Sequence, residues 1–158
     1  MNLHASVLQV SDIDEVLEFE QNKMTEIYPD ESERMIASWS SRASKESFSH
    51  YLPLGWSFVV RDRDHKELHQ EGQMLGFFIA QPLLFLDGQT QSLWVEHMQF
   101  SNLQIRDFLC ELAYRLSREK HLQRVYFPQH QTIQNSVTAF GAQPWQPQTL
   151  LVKTTKSI

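Results

Sequence analysis

The cleanest apolar pattern in the chain is a stripe of Ile105, Phe108, Leu109, Leu112, Ala113 and Leu116, spaced for one face of a helix. Ile13, Val16, Leu17 and Met24 repeat at the same period near the start. Ser11 is placed to cap that helix, and Asp14 and Glu15 suit the positive end of its dipole. "YPDES" restarts the chain. Asp30 or Ser32 is expected to cap a second helix with Met35, Ile36, Trp39 and Ala43 on its buried stripe. That helix can extend to Phe48, Tyr51 and Leu52, until Pro53 stops it. Thr132–Phe140 reads as a short helix closed by Gly141.

Strand patterns fill the remainder. Val7–Val10 and Gly55–Asp62 read as the first two strands. A polar hairpin loop leads to a long third, Gln73–Leu86, in which Gly76 and Pro82 mark bulges or bends. Asp87–Gly88 is a hairpin signal, so Gln91–Phe100 returns antiparallel. "QRVYF" and "QTLLVKTT" complete the set. The helical crossover makes Ser92–Phe100 parallel to Arg124–Phe127. The predicted fold class is α/β: a mixed, mostly antiparallel central sheet of about six strands flanked by about four helices, with helices on both faces. One domain over residues 1–158 is expected, with no repeat or linker.

Composition narrows the function classes. The chain has 158 residues, 41% hydrophobic and 21% charged, and a net charge of −5. An acidic chain of this kind argues against nucleic acid as the main partner. The single cysteine, Cys110, rules out an internal disulfide. "MNLHASVLQV" has neither the charged nor the apolar region of a signal peptide. The apolar runs are too short to span a bilayer, so no membrane association and a cytoplasmic location are expected.

"VEHMQFSNLQIRDFLCELA" (Val95–Ala113) is a strand, a very short connection and a helix. Such junctions hold phosphate groups on the backbone N–H groups of the helix N-terminus, and usually carry glycine so that the backbone can approach the ligand. No glycine occurs between Gly88 and Gly141.

The element order, together with "LGFFIA", "LWVEHM", "RVYF" and "HQTIQNSVTAFGA", resembles the GNAT superfamily of acyl-CoA-dependent N-acyltransferases over almost the whole chain. The resemblance implies acetyl-CoA or another acyl-CoA as a substrate, no metal, and a small-molecule or protein amine as acceptor. It places the coenzyme A pyrophosphate on a signature of Gln or Arg, two residues, Gly, one residue, then Gly or Ala. Counting from Gln99 puts Asn102 and Gln104 on the small-residue positions. Counting back from "RVYF" puts Ser101, Gln104 and Arg106 on the signature. Met98 and Phe100 complete the implied coenzyme contacts. Asn102 tolerates the left-handed conformation and is a partial substitute for glycine. Arg106 can bind phosphate through its guanidinium. The family's late-helix tyrosine, which protonates the departing thiolate, aligns with Val137, leaving Ser136 or Thr138 as the hydroxyl in its place. Trp39 and Trp56 fall where the family builds its acceptor pocket.

Acyl transfer to an amine needs a base, oxyanion donors and an acid. Glu96 is the base candidate. By strand alternation it shares a face with Trp94, Met98 and Phe100, and its bland alternative is a paired structural carboxylate. His97 is expected on the opposite face, as a satisfied histidine rather than a base. His65 and His69, near Asp62, Asp64 and Glu71, read as a solvated loop rather than a metal site. Cys110 sits at the margin of its helix stripe and reads as half-buried. The four tryptophans, Trp145 included, read as core or groove-lining. The acidic run Asp30–Glu33 reads as a helix N-terminal cluster that can also attract a cationic acceptor.

Two functional readings follow. One is an N-acyltransferase acting on an unidentified amine, with a cleft between the fourth and fifth strands. The other is a GNAT-fold ligand-binding or protein-interaction module that has lost coenzyme A binding, favoured if Gln104 or Arg106 fills the junction. A homodimer through exposed apolar surface is a third, weaker expectation.

Overall fold

A computed structural model describes residues 1–64, 72–84, 91–146 and 149–155. Among these residues the sheet has seven strands: β1 (Leu3–Val7), β2 (Phe58–Asp62), β3 (Gln73–Leu84), β4 (Gln91–Phe100), β5 (Arg124–Pro128), β6 (Gln143–Gln146) and β7 (Thr149–Lys153). Their order is β1-β2-β3-β4-β5-β7-β6, antiparallel throughout except for β4 against β5. Among the described residues five α-helices flank it: α1 (Ile13–Ile27), α2 (Glu31–Trp39), α3 (Lys45–Tyr51), α4 (Leu103–Glu119) and α5 (Gln131–Val137). The mixed sheet and the parallel β4–β5 pair match the expectation. One strand and one helix more are present than the pattern indicated.

The first strand lies earlier than predicted. The Asp12 carboxylate accepts from the Gln9 amide at 2.8 Å, and the Asp12 amide donates to the Gln9 carbonyl at 2.9 Å. This reciprocal cap turns Val10–Asp12 into a short 3-10 turn, so strand geometry ends before it and Ser11 is not the cap. The expected second helix is two helices. Asp30 caps α2 by accepting from Ser32, and Ser44 caps α3 by accepting from Ser47. The predicted stripe of α2 is not buried: Met35 is 54% exposed, Ile36 61% and Trp39 76%. The α1–α3 layer is instead closed by Phe48, Tyr51 and Leu52 of the following helix and turn.

Two cores lie on opposite faces of the sheet. Ile105, Leu109, Cys110 and Ala113 of α4 pack on Val60, Phe78, Ala80 and Val95. On the other face Val16 of α1 and Phe48 and Tyr51 of α3 cover Val59, Phe77 and Ile79, with Phe77 edge-on to the rings of Phe19 and Phe48. The fully enclosed Cys110 corrects the half-buried reading: the centre of the α4 stripe is rotated towards it, and Phe108 and Leu112 are only partly covered. Gly76 explains the close seating of α4. A Cβ there would lie 2.8 Å from the Gln99 carbonyl oxygen and 2.8 Å from the Ile105 methyl carbon.

Two irregularities shape β3 and β4. Val60 pairs with Gly76 and Arg61 with Met74, so Leu75, beside Gly76, has no partner on β2. Ile79 pairs with His97 and Ala80 with Val95, which leaves Glu96 as the extra residue of a bulge in β4. Pro82 is not at a bulge. It pairs in register with Leu93, where β3 has run past β2 and that edge needs no amide donor. The Asp87–Gly88 turn and the histidines at 65 and 69 lie outside the described residues, as does the side chain of Trp145. Among the described residues no helix is long and apolar enough to cross a membrane.

Candidate functional site

The bulge decides which side chains meet. Without it, Glu96 and His97 would point to opposite faces. With it, Val95 and Met98 stay in the α4 core, while Glu96 and His97 both turn towards α1 and α3. Glu96 therefore does not share a face with Met98 and Phe100, and His97 is not opposite Glu96. The extra residue shifts the alternation by one.

Glu96 is held from several sides. Tyr51 Oη donates to its Oε2 at 3.0 Å and Trp94 Nε1 at 2.6 Å, and Arg42 Nε lies 3.8 Å from Oε1. Burial, and then the Glu96 charge, hold the Tyr51 hydroxyl well above the usual phenol range. Tyr51 thus remains a donor to the carboxylate at any physiological pH.

His97 is paired with a residue the linear pattern did not single out. Its Nε2 lies 3.0 Å from Glu20 Oε2, and Gln99 Nε2 donates to both Glu20 oxygens at 3.4 Å. Glu20, on α1, is 5% exposed. Its only sequence signal is an acidic residue one turn from Val16 and Met24 on the buried face of α1. Nothing local says that it meets His97, 77 residues away.

β4 and β5 pair only over Ser92–Trp94 and Arg124–Tyr126, then part. Beyond that point a cleft of about 570 Å³ opens. Its walls are His97–Phe100 of β4, Pro128 at the end of β5, His130 after it, Thr132 and Ile133 of α5, Glu20, Lys23 and Met24 of α1, and Ser40–Arg42 after α2. Of the residues expected around the coenzyme, Met98 and Phe100 line this cleft. Ser101, Asn102, Gln104 and Arg106 are not among its lining residues. Ser136 is half-buried on α5, and Val137 is enclosed in the core. Trp39 is exposed at the end of α2, and Trp56 packs against the α4 core.

The β4–α4 junction shows what replaces the glycines. Only Ser101 and Asn102 separate strand from helix. The Ser101 amide donates to the Leu75 carbonyl at 2.8 Å, so the unpaired bulge residue of β3 takes it. Asn102 is extended, with φ −154°, and its side chain accepts from the Ile105 amide at 3.0 Å. It acts as an N-cap and not as a left-handed turn residue. Gln104 is exposed. Arg106 is turned away to α5, donating to the Thr132 carbonyl at 2.9 Å and pairing with Asp107 at 2.8 Å. Neither side chain fills the junction, but two of its amides are already used. The junction therefore offers a pyrophosphate fewer free amides than a glycine-rich loop would, beside a cleft that stays open.

No protein-family model matches the chain, and no curated protein matches it. Solved structures do. One is a chain of the NatC complex bound to Gag peptide and CoA, with TM-score 0.69 at 10% identity, covering 98% of this chain and all of that one. Another is a GNAT-family acetyltransferase of Staphylococcus aureus Mu50, with TM-score 0.64 at 10% identity, covering 97% and 99%. A third is an agmatine N-acetyltransferase, with TM-score 0.62 at 14% identity, covering 97% and 100%. These likenesses, over nearly the whole of each chain, show that the chain has the GNAT acetyltransferase fold.

Proposed function

We propose that this protein transfers an acyl group from an acyl-CoA to an amine, with His97 as the base and Glu20 as the group that orients it. The observation that carries this reading is the buried Glu20 carboxylate 3.0 Å from His97 in the wall of the β4–β5 cleft. When the Nε2 hydrogen lies in the Glu20 bond, the lone pair is on Nδ1, and a carboxylate in that position stabilises the imidazolium that forms. Glu96, with two donors and Arg42 around it, acts in this reading as the anchor that holds Tyr51, Trp94 and the bulge in place. Among structures of this fold, the NatC complex is bound to Gag peptide and CoA and another is an agmatine N-acetyltransferase, which supports an amine acceptor and an acyl thioester donor here.

The test is release of free thiol from acetyl-CoA over a panel of primary amines. His97→Ala is expected to lower the rate by roughly two to four orders of magnitude, the usual range for a positioned base. Glu96→Gln should cost less. The reverse order would assign the base to Glu96.

One observation favours the second reading, a GNAT-fold module without coenzyme A. The Ser101 and Ile105 amides at the junction are occupied by Leu75 and Asn102. Calorimetric titration with acetyl-CoA separates the two readings, because the module predicts no heat of binding at any concentration.

A further inference from the structure

A second cavity, about 510 Å³, lies between α1 and α2, and Glu20, Met24 and Ser41 line both it and the cleft. Resting on the transferase reading, we infer that this groove takes the acceptor, and that the acceptor is a primary monoamine with an apolar substituent. Leu17, Met24, Met35 and Ala43 give the groove its apolar lining. Three charged side chains line it as well: Glu20, Glu31 and Arg34. The Arg34 guanidinium is fixed by the Tyr28 and Pro29 carbonyls, both at 2.9 Å, so its charge stays in the wall. Two carboxylates against one guanidinium leave one net negative charge. One ammonium matches it, while a second cation would meet Arg34 and apolar wall.

Glu20 is the carboxylate at the inner end, where groove and cleft join, and it is also the partner of His97. An ammonium seated there stands beside the base. The step then balances without any redox partner. The nitrogen loses two protons in becoming an amide, one through His97 to solvent and one to the departing thiolate. The C–N bond forms as the C–S bond breaks, and coenzyme A leaves as the free thiol.

The experiment is calorimetric titration of the full chain with phenethylamine and with 1,4-diaminobutane, without acetyl-CoA, followed by thiol release with the same amines. Phenethylamine should bind at least tenfold more tightly. Met35→Glu, at an exposed position on α2, should reverse that order. Ile36→Glu, on the same helix outside the groove, should leave it unchanged. Tighter or equal binding of the diamine, binding of neither amine, or a phenethylamine affinity unmoved by Met35→Glu overturns the assignment, whatever acetyl-CoA does. The expected preference without any thiol release keeps the groove as an amine site and removes the transferase reading.

Discussion

Cys110 and the Glu96–His97 pair show how far single residues depend on their surroundings. Burial pushes the Cys110 thiol up to about 11 from its ordinary 9.0, with Ser136 and Arg106 pulling it back less. The folded state therefore holds the proton after the unfolded chain has released it. Between pH 9 and 11 the unfolded state binds fewer protons, so stability falls as pH rises across that window. Urea midpoints at pH 8 and pH 10.5 should drop more in the wild type than in Cys110→Ala, and the native thiol should resist a disulfide reagent at pH 8. A thiol that reacts at the rate of a free cysteine would contradict the enclosed position. Glu96 was legible as a carboxylate in the fourth strand. Its direction was not, because a bulge is a property of two paired strands and β4 carries no glycine or proline to mark it.

At the scale of elements, α2 and α4 contrast. The stripe of α4 was readable because its apolar positions continue for about three turns and the sheet covers them. The stripe of α2 has the same spacing over nine residues, and among the described residues no layer covers it. Periodicity reports that a helix can bury a face, and only packing reports whether it does. Ile36→Lys should therefore change stability by less than about 0.5 kcal/mol, the range for surface positions. Phe48→Ala, in the neighbouring enclosed helix, should cost about 3–5 kcal/mol. Chemical denaturation of both variants checks this, and a large loss for Ile36→Lys would mean that α2 is covered in solution. Gly76→Ala belongs to the same scale. Its Cβ would press on the Gln99 backbone and on Ile105 and Leu109, so α4 must shift, at roughly 1–3 kcal/mol of overpacking.

For the whole molecule, the parting of β4 and β5 creates the cleft, and the two-residue β4–α4 connection limits what can be gripped beside it. Acetyl-CoA is accordingly expected to bind more weakly than the low micromolar range, less than about 8 kcal/mol. Calorimetry checks this. Arg106→Ala should leave that affinity unchanged, since the guanidinium is committed to Asp107 on α4 and to Thr132 across the α4–α5 contact. Tight binding lost in Arg106→Ala would show that the arginine swings out to the phosphates. The sequence alone determined the succession of strands and helices, the antiparallel β3–β4 pair, the parallel return at β5 and the absence of glycines at the junction. Each of these is carried by local spacing or by residues a few positions apart. Tertiary structure decided that Glu20 meets His97, that Ser101 is taken by Leu75, and that Arg106 faces α5. Those contacts join elements that are distant along the chain, and no local periodicity encodes which of them the fold brings within hydrogen-bond reach.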